Sequence, residues 1–259
     1  MADAATPAPE ATVEEVPTTW EQQIADYENV EVPENEHRLE TDWTLWLDKK
    51  KEVHCKNFAD FKANLAQVSR FGSVEGFWRS FSFLAQPSRL PRDYDVFMFR
   101  KNMVPAWESF PAGGCWIIKV RKGNGLIDRL WEELAFAAIG EMFEEPTLVG
   151  VTVSTRAKDD VVAIWNSDNT NPATRFKIGE KLKVILNLDA STCIEYKAFS
   201  AAIQDGSTFR AAKQFMFAPK IPDSYRQSKS GKKKKKKSTK SSSSKKTSDD
   251  TASAAGASK

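Results

Sequence analysis

Residues 148–165 read LVGVTVSTRAKDDVVAIW. Two runs rich in β-branched residues, Leu148–Thr155 and Val161–Trp165, flank the polar turn RAKDD, and so short a turn returns the chain antiparallel to itself. Working outward, Cys115–Arg121 (CWIIKVR) and Tyr94–Phe99 (YDVFMF) read as strands on either side of a loop holding Pro105 and Pro111. Asp42–Leu47 (DWTLWL) alternates as a strand, with Trp43 and Leu45 on one face. Thr192–Phe199 supplies a last strand. Helical spacing appears between them. Leu126–Phe143 places Leu126, Leu130, Leu134, Ala138 and Met142 along one stripe, and Ala173–Leu186 is a lysine-studded amphipathic helix. Ser73 is placed to cap a short helix carrying Phe77, Trp78 and Phe81. Strands outnumber helices and two follow each other directly, so the expected class is α+β, a single domain on an antiparallel sheet. No Gly-rich phosphate loop and no internal repeat is present.

The chain has 259 residues, 41% hydrophobic and 28% charged, with a mean hydropathy of -0.50. That supports one sizeable core. No apolar run is long enough to span a membrane, and the first residues lack a signal peptide's basic start and apolar stretch. A cytoplasmic protein is expected, with a nuclear fraction allowed by the lysine run below. Three scattered cysteines (Cys55, Cys115, Cys193) and two histidines build neither a disulfide framework nor a metal site, so no metal or cofactor is expected. The net charge of +3 hides a segregation: residues 1–36 carry -10, residues 37–227 carry +4 and residues 228–259 carry +9. The two ends read as disordered tails, acidic at 1–36 and Lys/Ser-rich at 228–259, around a domain at 37–227. A lysine run of this kind suits nucleic acid or a localisation signal.

Eight tryptophans are many for this length. Trp43, Trp116 and Trp131 fall on periodic apolar faces and are expected in the core. Trp107 falls in VPAWES, a Pro-flanked loop, and Glu108 follows it. An aromatic face beside a carboxylate suits a flat cationic heterocycle bearing N–H donors: the ring stacks, and the carboxylate accepts the protons.

Nine segments in order carry a more specific pattern: HRLETDWTLW (37–46), DFKANL (60–65), FGSVEGFW (71–78), VPAWES (104–109), GGCW (113–116), DRLWEE (128–133), IGEMF (139–143), RAKDDVVAIW (156–165) and DGST (205–208). With them the chain resembles the eukaryotic translation initiation factor 4E family, the messenger-RNA cap-binding proteins. The resemblance implies a curved antiparallel sheet, helices on its convex face and a cap pocket on its concave face. In that pocket 7-methylguanine would lie between Trp107 and Phe61, the latter standing where the family usually has Trp. Glu108 would accept the base's N1 and N2 protons, with the Trp107 backbone N–H at O6. Trp165 would lie against the N7-methyl, and Arg156 would bind phosphate. Two family bases are replaced, by Cys115 and Val161. Lys158, Lys119, Lys213, Arg121 and Lys122 are the candidates to compensate.

The resemblance also implies a docking surface at Trp78, with His37, Val74 and Glu133, for the YxxxxL-type helix of an initiation factor 4G-type scaffold or a 4E-binding protein. Glu132 puts charge where the family commonly has Leu. The favoured reading is a non-enzymatic module that binds capped mRNA and recruits it to a scaffold, with no membrane partner. The alternatives are a cap-binding repressor with weak scaffold engagement, and an interaction protein that has lost cap binding. An enzyme is disfavoured: Asp159 and Asp160 are adjacent in a turn and have no nucleophile or base partner.

Overall fold

Alternation along the strands dictates a sheet with two buried faces. The computed structural model describes residues 19–25, 27–49, 58–123, 125–189 and 191–217. In chain order the elements are α1 (Trp20–Ala25), β1 (Arg38–Lys49), α2 (Phe58–Asn64), β2 (Leu65–Ser73), α3 (Val74–Phe81), β3 (Tyr94–Arg100) and β4 (Gly114–Arg121). There follow α4 (Leu126–Ile139), β5 (Leu148–Ser154), β6 (Asp159–Asn166), α5 (Pro172–Ile185), β7 (Ile194–Ala198), α6 (Phe199–Asp205) and β8 (Lys213–Phe215). The eight strands form one curved, unclosed sheet ordered β2-β1-β3-β5-β6-β4-β7-β8, antiparallel at every pairing. The 148–165 stretch is the β5–β6 hairpin, in continuous register from Gly150↔Trp165 to Ser154↔Val161, with a register shift between Leu148 and Gly150.

Trp43, Leu45, Val96, Met98, Trp116, Ile118, Val162 and Ile164 point to the convex face and pack with α4 residues such as Leu130, Trp131 and Leu134. The interleaved set, Phe97, Phe99, Cys115, Ile117, Ala163 and Trp165, makes a second cluster on the concave face. Trp43, Trp116 and Trp131 are all in the core, as their periodicity requires.

Local signals set the helix ends. Ser73 Oγ accepts the Gly76 N–H at 2.9 Å and starts α3. Asn171 does the same for α5, with Pro172 in the first turn. The expected helix 126–143 stops at Ile139. Gly140 closes it with its N–H on the Phe136 carbonyl at 2.9 Å, and Glu141 then takes a left-handed φ of 52°.

The acidic block 1–36 departs from the tail expectation where it is described. Trp20 and Ile24 of α1 pack on the concave-face cluster. Tyr27 Oη and the Val30 N–H both donate to Asp42 Oδ2, at 3.0 and 2.7 Å. Composition alone misses this because two apolar side chains and a few specific hydrogen bonds hold the segment. The lysine-rich stretch 228–259 lies outside the described residues.

Gly150 shows how tightly the concave cluster is built. A Cβ there would lie 2.4 Å from Phe99 Cδ2. Phe99 cannot retreat, because Trp165 and Phe110 rings stand 5.3 and 6.1 Å from it. Gly150→Ala is therefore expected to destabilise the protein by about 1–3 kcal/mol through overpacking, read as a lower urea midpoint at unchanged slope.

Candidate functional site

A cavity of about 420 Å³ opens on the concave face, within the range of small-ligand sites. Phe61, Trp107, Glu108, Trp165 and Arg156, far apart in sequence, all line it. Trp107 and Glu108 occupy a single 3₁₀ turn, Trp107–Ser109, in the β3–β4 connection. Phe61 comes from α2 and packs with the same loop through Phe58, Val104 and Ala106. Trp165 forms the floor from β6 and is 5% exposed. Neighbouring rings fix it, Phe199 tilted at 4.4 Å and Phe99 edge-on at 5.3 Å between centroids. Among the described residues, Glu108 has no hydrogen-bond or ion-pair partner, so its carboxylate is an open acceptor on the pocket wall.

The far wall is polar. Arg156 Nη2 contacts both carboxylate oxygens of Asp95, at 2.7 and 3.0 Å, and Nη1 donates to the Thr155 carbonyl at 3.0 Å. Its Cζ lies 6.0 Å from the centre of the Phe209 ring. Two of the five guanidinium N–H groups, at Nε and Nη1, are left over for an anion. Cys115 and Val161 are buried, at 0% and 5% exposure, and burial pushes the Cys115 thiol well up, so neither supplies charge.

Two of the five candidate compensating bases are paired with acids. Lys119 pairs with Glu195 at 2.8 Å, and Lys122 with Asp160 at 2.5 Å. Lys158 and Arg121 are exposed. Lys213 stands opposite Tyr196 on β8, and Tyr196 belongs to the convex-face core, so Lys213 faces away from the cavity. Asp160 also accepts the Arg156 N–H at 3.0 Å, a structural duty for half of the acid pair.

Sequence reasoning missed several wall residues. Thr152 and Ser154 on β5 and Asp95 on β3 line the cavity. Thr152 and Ser154 carried a signal, polar residues at every second position of an otherwise apolar strand, whereas Asp95 is a single acid in an apolar run. Phe209 and Thr208 follow α6 and carry no comparable pattern. Lys197 was also missed. It lies opposite Cys115, is 3% exposed, and holds Asp205 Oδ2 and the Arg210 carbonyl, both at 2.5 Å. Among the described residues, no group of three or more His, Cys, Asp or Glu side chains could hold a metal ion.

The second predicted surface also assembles. Val74 and Trp78 on α3 are 36% and 45% exposed. Trp78 meets Phe136 of α4 at 5.4 Å, one turn beyond Glu133. Arg129 holds Glu133 Oε1 at 2.9 Å, while Oε2 is buried without a partner. The Val74 N–H donates to the His37 carbonyl at 2.9 Å, and His37 Nδ1 meets Glu75 Oε1 at 2.7 Å. Glu132 is exposed on α4.

Comparison with known proteins adds three findings. The profile of the family described as Eukaryotic initiation factor 4E matches residues 38–214. Eukaryotic translation initiation factor 4E of Homo sapiens is 32% identical over 214 residues, covering 79% of this chain and 96% of that protein. Among solved structures, Ascaris suum eIF4E-3 with m7G cap is similar at a TM-score of 0.61 and 29% identity, over 72% of this chain and 99% of that one. The complex of C. elegans eIF4E-3 with the 4E-binding protein Mextli and cap analog is similar at 0.60 and 27%, over 69% and 100%.

The His37–Glu75 pair has a testable pH signature. The Glu75 hydrogen bond and charge raise the His37 pKa, and the two hydrogen bonds from His37 pull Glu75 down to about 2. A raised imidazole pKa means the histidine's contribution is complete below its unfolded value and fades as pH rises through the folded one. The carboxylate's contribution is present above its unfolded value and is lost as pH falls towards about 2. An NMR titration should place His37 above the free-imidazole value, and Glu75→Gln should return it there.

Proposed function

Because the chain belongs to the eukaryotic initiation factor 4E family, we propose that it binds the 7-methylguanosine 5′ cap of messenger RNA in the concave-face cavity and recruits the capped message to a scaffold for translation initiation. The observation that carries this reading is the convergence of Phe61, Trp107, Glu108, Trp165 and Arg156 on one cavity, with the Glu108 carboxylate free. Methylation at N7 makes guanine cationic, and a cation between two electron-rich faces gains an attraction that neutral guanine lacks. In this reading Trp107 and Phe61 supply the faces, Glu108 takes the N1 and N2 protons, and Trp165 sits at the methyl group. Arg156, shared with Asp95, takes a phosphate. Recognition is binding, and no bond is made or broken. The cytoplasm is its proposed compartment.

The partner is proposed to be a 4G-type scaffold or a 4E-binding protein. The C. elegans neighbour in complex with Mextli supports this, as does the half-exposed Trp78 beside Val74. A helix seated in such a groove needs one apolar anchor and a polar rim. The repressor reading has its own support: Glu132 charges the rim, and buried Cys115 and Val161 leave few free cations for the triphosphate.

Retention on 7-methylguanosine-agarose, competed with 7-methyl-GDP but not GTP, tests the reading directly. Glu108→Ala removes two charge-assisted contacts of roughly 1.5–3 kcal/mol each, so affinity should fall at least about tenfold with the melting temperature unchanged. Wild-type affinity in that variant would remove Glu108 from the site. Trp78→Ala should abolish binding of a YxxxxL-type peptide, a loss of about 2 kcal/mol or more, and leave cap affinity alone. A large fall in thermal stability would instead make Trp78 a core residue.

A further inference from the structure

Residues 19–25 precede the segment matched by the family profile, yet they touch the loop that carries Trp107 and Glu108. Gln23 of α1 is the link. Its Oε1 accepts the Val104 N–H at 2.7 Å, and its Nε2 donates to Ser109 Oγ at 3.0 Å. These two residues bracket the Ala106–Glu108 stretch from either side, and an amide side chain provides the required acceptor and donor on one carbon. Ser109 is fully buried and Val104 is 8% exposed, so water does not readily replace either bond. One turn of helix separates Trp20 from Ile24, and both pack on the cluster that also receives Phe61 and Trp107.

A six-residue helix has no stability of its own, so something must hold it in place. The anchors are on the sheet. Asp42 of β1, 2% exposed, takes Tyr27 Oη and the Val30 N–H, and Arg38 Nη2 meets its other oxygen at 2.8 Å. Arg70 of β2 donates to the Glu28 carbonyl at 2.8 Å, and its guanidinium lies 4.9 Å from the Tyr27 ring centre. The segment thus runs from fixed points on β1 and β2 to both ends of the cavity turn.

We propose that residues 19–25 and 27–30 act as a strap that sets the position of the Trp107–Glu108 turn, with Gln23 as its positioning residue. Gln23 does not line the cavity. It acts through Val104 and Ser109, holding the aromatic face and the carboxylate at one spacing from Phe61 and the floor, so that a ligand does not have to order the turn. The link to affinity rests on the cap reading above, whereas the positioning itself does not.

The test uses the full chain in three forms: wild type, Gln23→Ala and Gln23→Glu. The glutamate variant keeps an acceptor for the Val104 N–H and can accept a hydrogen bond from the Ser109 hydroxyl. Amide hydrogen exchange is followed at 104–110 and across the sheet, and 7-methyl-GDP affinity by tryptophan fluorescence. Gln23→Ala should speed exchange at 104–110 and weaken binding, each by about tenfold, while sheet amides keep their protection. Gln23→Glu should recover most of both. The proposal is overturned if Gln23→Ala leaves exchange at 104–110 unchanged, or loses protection equally throughout the sheet. It is also overturned if loop exchange rises while affinity stays at wild type, or if Gln23→Glu behaves like Gln23→Ala. If wild type itself does not bind 7-methyl-GDP, the cap reading fails, and the exchange comparison alone decides whether the strap positions the turn.

Discussion

Successive side chains on a strand point to opposite faces, and in the middle of this sheet both faces must be filled. Val162 and Ile164 of β6 enter the helix-covered core, whereas Val161, Ala163 and Trp165 enter the other cluster. A slip of one residue would exchange the two sets, placing Trp165 under α4 and small aliphatics on the cavity floor. Register is therefore shared between stability and recognition. The helices bury one set of side chains, and in doing so they aim the other set at the ligand. Gly150 belongs to the same constraint, since it lets the Phe99 ring cross the strand and brace Trp165.

Around this floor the charges are nearly cancelled in pairs. Arg156 is matched with Asp95, Lys119 with Glu195, Lys122 with Asp160 and Lys197 with Asp205. Each base is partly neutralised before any ligand arrives, and the surface salt bridges among them contribute little stability. The free Glu108 carboxylate is the exception. A site with matched cations and one unmatched acid favours the positively charged end of a ligand over its anionic end. In this chain the cap reading therefore leans on the base more than on the phosphates.

The fold was legible because its deciding signals are local. The 148–165 hairpin, the Ser73 cap and the stripe through Leu126, Leu130 and Leu134 each follow from a few adjacent residues. Strand β2 was not legible. Leu65–Ser73 is an edge strand with little apolar content on its exposed face, and it gains its conformation by pairing with β1. Site residues were legible where a motif carried them, as with Trp107, Glu108 and Trp165. Phe209 takes its place through the return of the chain after α6, which leaves no periodic trace. Gln23 was hidden for another reason. Its neighbourhood has the composition of a tail, and two hydrogen bonds and two apolar side chains do not register in composition.

Among the described residues the sheet has two outer strands, and an outer strand's unpaired backbone donors and acceptors can take up another chain. At one end is β8, with only three residues and exposed Lys213 and Gln214, too short and too polar to template a long partner strand. At the other is the nine-residue β2, where exposed Val68 is interrupted by exposed Gln67 and Arg70. The residues that guard against unwanted strand addition thus lie at the sheet's two margins, away from the cavity. Solubility can then be tuned at those margins by substitutions that leave the ligand-facing residues untouched.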